Sequence, residues 1–97
     1  MRVIALRTLR ESWQRHPQAE GPLRAWHAMA SRADWQTPTD VKRDYPHASF
    51  LAGNRVIFNI KGNDFRLVAA IHYGRGLVYV RFVGTHAEYD RVDAATI

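Results

Sequence analysis

The chain has 97 residues, the length of one domain, spanning 1–97, that buries roughly 60% of its unfolded surface. Its 14 lysines and arginines against 9 acids give a net charge of +5, and every base except Lys42 and Lys61 is arginine. There is no cysteine, which excludes a disulfide scaffold, a zinc ribbon and a thiol nucleophile.

Arginine presents a planar fork that grips phosphate bidentately and stacks on bases, so polyanions are among the expected partners. Ordinary solubility charge accounts for the same composition. The N-terminal stretch MRVIALRTLRESW holds no long apolar run. Neither a signal peptide nor a membrane span is expected there, and the expected location is the cytoplasm, away from any membrane.

Residues 2–6 are short, apolar and β-branched in the middle, and read as a first strand. Residues 8–16 follow as a short helix, with Leu6, Leu9 and Trp13 at helical spacing and Pro17 as the stop. GPLRAWHAMASRADW is the strongest helix. Pro22 suits its first position, and Leu23, Trp26, Met29, Ala30 and Ala33 mark one face. His27 sits beside that stripe as a packing residue. Thr37-Pro38-Thr39-Asp40 starts a short helix that ends before Pro46.

After residue 48 the pattern changes to strands: 55–60, 65–73 and 77–83, joined by Lys61-Gly62-Asn63-Asp64 and Gly74-Arg75-Gly76. Connections this short force antiparallel neighbours. The expected class is α+β, with helices on one face of a largely antiparallel sheet and a short C-terminal turn or helix.

Strict alternation puts Val56, Phe58, Ile60, Val78, Val80 and Phe82 toward the helices. The other face then carries Arg55, Lys61, Arg66, His72, Tyr79, Arg81 and Val83. From Phe50 to Gly84 there are five bases and one acid, Asp64. A merely solvated face would carry balancing acids for cross-strand pairs, and they are largely missing. A cationic face with Tyr79 and Asn63 suits a phosphate chain with stacked bases. His72 belongs to no motif and reads as a half-buried sheet residue.

The stretch RFVGTHAEYD ends the last strand at Gly84 and then crowds His86, Glu88, Tyr89 and Asp90 together. Two readings stay open at this point, a catalytic corner and a capped turn. Thr85 with Glu88 forms a capping box, which gives Glu88 a structural job. His86 and Tyr89 are three apart and Asp90 four from His86, so one turn brings them together. Zinc motifs, a serine-hydrolase elbow and a Walker loop are all absent from the sequence. Metal-free, cofactor-free acid–base chemistry beside a cationic surface remains. RNA cleavage by its own 2′-hydroxyl needs a proton acceptor, a charge clamp and a proton donor, and no more.

The stretches VIFNIKGNDFRLVAAIHY and VYVRFVGTHAEYDRVDAATI resemble the HigB family of type II toxin–antitoxin toxins, within the RelE-like clan. The likeness extends to LRTLRESWQRHPQAEGPLRAW and VKRDYPHASF. It implies a RelE-like β-α-α-β-β-β toxin that cleaves mRNA during translation at the ribosome. It also implies a cognate helix-turn-helix antitoxin, through which alone operator DNA is contacted. The matching positions are Lys61, Asn63, Arg66, Arg81, His86, Tyr89 and Asp90. On this reading Arg66 and Arg81 grip the scissile phosphate, Lys61 assists from a neighbouring one, and Arg55 and Tyr79 extend the binding face. His86 transfers protons, Tyr89 assists or stacks on a base, and Asp90 orients His86 or Arg81. Two alternatives stand beside it: a non-catalytic RNA- or ribosome-binding module, and an inactive toxin kept as a co-repressor.

Overall fold

The computed structural model describes residues 1–4 and 6–97. In chain order they form β1 (Arg2–Ile4), α1 (Leu6–Arg15), α2 (Glu20–Arg32), α3 (Pro38–Asp44), β2 (Ser49–Leu51), β3 (Arg55–Ile60), β4 (Phe65–His72), β5 (Leu77–Thr85) and α4 (His86–Tyr89). A 3₁₀ turn over Pro17–Ala19 joins α1 to α2. The five strands make one sheet in the order β1-β5-β4-β3-β2. β1 runs parallel to β5, and the other pairs are antiparallel. The α+β class and the meander expected from the short connections are therefore as built.

The element ends differ where local chemistry is ambiguous. The expected first strand took in Leu6, which is the first residue of α1, and Ala5, which lies outside the described residues. α2 begins at Glu20, so Pro22 is its third residue; the first-turn N–H groups have no helical acceptor, and the ring is still tolerated. β2 had no expectation. Its three exposed residues, Ser49, Phe50 and Leu51, show no alternation to detect.

One face of the sheet carries the helices. Leu9, Trp13, Leu23, Trp26, Ala30 and Val41 pack there against Val56, Phe58, Ile60, Leu67, Ile71, Val78, Val80 and Val83. Phe58, fully buried, is the hub. Trp26 and Tyr45 meet it edge-on at 5.4 and 5.1 Å, and Trp35 stacks on it at 6.0 Å. Met29, expected on the packed stripe of α2, is 39% exposed instead.

The core side of β5 reads Val78, Val80, Val83, which is not an alternating series. The pairing explains it: Val68 faces Phe82, but its neighbour Ala69 faces Val80, so Arg81 is an extra residue in the ladder. Such a bulge resets which way the following side chains point. Phe82 therefore lies on the far face and Val83 on the helix face, the reverse of strict alternation.

That far face is also partly covered. Ile57, Val68 and Ala94 form a second buried cluster, with Phe82, Tyr89 and Ile97 against it. The segment 90–97 thus folds back across the sheet. Arg55 fastens it: its Nε and Nη2 donate to the Ile97 carbonyl oxygen, Nε at 2.9 Å, and its Nη1 donates to the Gly53 carbonyl.

α4 is short and depends on its cap. Thr85 Oγ1 accepts from the Glu88 N–H at 3.1 Å, and Glu88 Oε1 accepts from the Thr85 N–H at 2.8 Å. The Thr85 N–H holds the Glu88 carboxyl below its ordinary value of 4.5, against partial burial, with help from the Thr85 hydroxyl, His16 and Arg15.

Two measurements test this packing. Phe58→Ala should cost about 3–5 kcal/mol of unfolding free energy in a urea titration. A carboxyl depressed in the folded state contributes stability that is complete above 4.5 and lost as pH falls through the lower folded value. Glu88→Gln keeps an acceptor for Thr85 but not the charge, so its deficit in urea midpoint should be largest near neutrality and fade below pH 4.5.

Candidate active site

The β3–β4 turn starts from two successive left-handed residues, Lys61 at φ 53° and Gly62 at φ 64°. Gly62 adopts that conformation freely, and Lys61 is held there by the hairpin around it. The turn projects Asn63 and Asp64. Asp64 pairs with Lys61 Nζ at 3.1 Å, on the surface. This accounts for the lone acid beside the expected phosphate clamp: it partners Lys61, through an exposed contact that a phosphate can displace.

Arg66 starts the working face of β4. It lies between Asn59 of β3 and Gly84 of β5. Its Nη1 donates to Asn63 Oδ1. On the Gly84 side there is no side chain, and α4 uses that gap. A Cβ at Gly84 would stand 2.6 Å from Phe82 Cζ and 3.1 Å from Glu88 Cβ, so this position must stay bare for Phe82 and α4 to lie down. The Tyr89 ring then reaches 5.9 Å from the Arg66 guanidinium. Tyr89 is half-buried, anchored by the second cluster.

His86 opens α4, with its N–H donating to the Asp64 carbonyl at 3.3 Å. Its Nδ1 is 3.2 Å from Asp90 Oδ2, and both side chains are about half exposed. Asp90 thus sits beside the Nδ1 edge of the imidazole. A backbone hydrogen bond ties the hairpin turn to α4, Asn63, Arg66 and Tyr89 follow one another in contact, and the His86–Asp90 pair stands on the same short helix as Tyr89.

Arg81 stands apart from those residues. It lies three steps along β5, about 10 Å, from Gly84, the partner of Arg66. Its guanidinium lies 5.5 Å from the Tyr79 ring, and Tyr79 meets His72 edge-on at 5.4 Å. His72 is exposed rather than half-buried. Arg55, expected to bind phosphate, has its guanidinium occupied by Ile97 and Gly53 instead.

One neighbour of α4 carried no sequence signal. His16, at the end of α1, lies 3.5 Å from Glu88 Oε1 and 5.3 Å from the Phe65 ring. It braces α4 from the helix side. The two partners are distant in sequence, and only the packing of α1 against β5 brings them together.

Comparison with known proteins agrees with this architecture. Residues 19–92 match the family model of HigB_toxin, described as the RelE-like toxic component of a toxin–antitoxin system. The mRNA interferase toxin HigB of Escherichia coli (strain K12) is 27% identical over 92 residues, covering 93% of this chain and 88% of its own length. The mRNA interferase HigB of Shigella flexneri matches to the same extent. That of Escherichia coli O6:H1 is 23% identical over 94 residues, covering 95% of this chain and 91% of its own. With a family match across most of its length and the sheet-and-helix layout described above, the chain belongs to the HigB family of RelE-like toxins.

Proposed function

We propose that this chain is an mRNA-cleaving endoribonuclease, the toxin of a toxin–antitoxin pair. Family membership and the names of its relatives support the reaction class. The single observation that carries the reading onto this chain's residues is that the Arg66 guanidinium meets the Tyr89 ring of α4, the same short helix that carries the His86–Asp90 pair.

The chemistry follows from what these residues offer. The substrate's 2′-oxygen attacks the adjacent phosphorus, its proton passes to a base, and the bond to the 5′-oxygen breaks as that oxygen gains a proton. The products are a 2′,3′-cyclic phosphate and a 5′-hydroxyl, and no metal enters the scheme. His86 carries protons, with Asp90 holding Nδ1 so that Nε2 faces the reaction. Arg66, steered by Asn63 and Tyr89, neutralises the charge that builds on the phosphate oxygens. Tyr89 also offers a ring on which a base can stack. Arg81, about 10 Å further along β5, suits a neighbouring phosphate, with Tyr79 beside it. Lys61 assists once a phosphate displaces Asp64.

On this reading residues 1–97 act as one domain in the cytoplasm, on mRNA being translated at the ribosome. A helix-turn-helix antitoxin neutralises it and carries the pair to operator DNA. A binding module without catalysis would use the same cationic face, so substitutions separate the two readings.

His86→Ala should lower the cleavage rate roughly 10²–10⁴-fold with little change in RNA affinity. Arg66→Ala should weaken both, and flatten the salt dependence of binding by about one unit of slope. Mapped fragments should end in 2′,3′-cyclic phosphate or 3′-phosphate. Fragments ending in 3′-hydroxyl would contradict the mechanism, and wild-type binding without any cleavage would favour the module.

A further inference from the structure

A cleft of about 600 Å3 opens between α1, the bulged part of β5 and Glu88 of α4. That volume falls in the range of small-ligand sites. Thr8, Glu11, Gln14 and Arg15 line it from α1, Arg81 and Phe82 from β5, and Glu88 from α4. It therefore adjoins the candidate site described above, with α4 as the shared element.

The charges in this cleft are unevenly satisfied. Both carboxylates are occupied: Glu11 takes Arg7 Nε at 3.0 Å, and Glu88 takes the Thr85 N–H and faces His16. Among the described residues neither Arg15 nor Arg81 makes a hydrogen bond or an ion pair; Arg81 only overlies Tyr79. Two guanidinium groups without a hydrogen-bonded partner thus line a cleft in which Glu11 is paired with Arg7, and Glu88 is the one remaining negative charge, set against Arg15, His16 and Arg81. That is the electrostatic condition for holding an anion. Gln14 supplies an amide able to both donate and accept at a base edge.

Resting on the proposed nuclease reading, we infer that this cleft seats a nucleotide flanking the scissile bond of the RNA. Arg15 and Arg81 hold its phosphate, and Gln14 with Thr8 meets its base or ribose. The strand runs past α4, so that His86 and Arg66 act at one point along it while the cleft fixes register at another. Arg15 and Gln14 bind and position the substrate rather than react with it.

Photocrosslinking tests this directly. The probe is a short mixed-sequence RNA with 4-thiouridine and 2′-fluoro sugars, which it cannot use to cleave itself. It is presented to the full chain alone and on ribosomes programmed with the same RNA, and crosslinked peptides are mapped. Crosslinks within residues 8–15, together with β5 and α4, are the expected result. Crosslinks confined to the β3–β4 turn, β5 and α4 would overturn the flanking subsite and leave the nuclease reading standing. Crosslinks to neither region would overturn both, and would leave the cleft to a protein partner.

Kinetics give an independent arm. Arg15→Ala and Gln14→Ala should each raise KM for RNA several-fold with kcat little changed, and Arg15→Lys should recover part of the loss. Gln14 is exposed, so its alanine variant should leave the thermal midpoint unmoved, while Arg15→Ala also removes a charge facing Glu88 and is read against Arg15→Lys, which keeps that charge. An unchanged KM in both alanine variants would also overturn the subsite.

Discussion

Because Arg81 has no partner across the β4–β5 ladder, the alternation of β5 is reset between Val80 and Phe82. Val83 turns in to join Val78 and Val80 under the helices, while Phe82 goes to the far face beside Val68. The guanidinium of the extra residue is left at the strand's margin, over Tyr79 and beside α1. An unbulged strand would put Phe82 in the helix-side core and leave Tyr89 without the apolar floor that supports it. Bulges are tolerated where a side chain must be re-aimed, and here the re-aimed groups are those next to the candidate site.

Two further constraints convert that strand into a site. Gly84 leaves a space opposite Arg66 that any side chain would fill, and the Thr85–Glu88 box then starts a helix too short to persist alone. The box fixes where His86 and Tyr89 stand, and His16 braces it from α1. Segment 90–97 completes the support by folding back over Ile57 and Val68, with Arg55 as its clasp. The residues on this face therefore divide by task. Arg55 maintains the fold, whereas Arg66, Asn63, His86 and Asp90 remain at the surface.

Much of this was legible in the residues. The spacing of Leu23, Trp26 and Ala30 marked α2, the turn residues between strands marked the meander, and Thr85-x-x-Glu88 marked the cap. Residue type and likeness to the family point to the surroundings of Arg66 and to the RFVGTHAEYD corner as the candidate site. What stayed hidden was whatever depends on register or on distant packing. A bulge leaves no local sign when Arg81 is flanked by good strand formers, so the assignment of Phe82 and Val83 to faces was inverted. Arg55 reads as a free base until a segment of chain 42 residues on lies against it. The His16–Glu88 contact and the cleft along α1 exist only once the helix docks on β5. Asp64 had no evident purpose until its carboxylate met Lys61 and its carbonyl met His86.

The central claim is that Arg66, Tyr89 and the Asp90-oriented His86 act together on a substrate that supplies its own nucleophile. The most direct measurement is cleavage of a translated mRNA in which one mapped scissile nucleotide carries a 2′-deoxyribose, with the rest left as RNA. The account predicts that this bond survives while the other sites in the same molecule are cut at their usual rates. Cleavage at the deoxy position would mean that the attacking oxygen comes from elsewhere, and would contradict it.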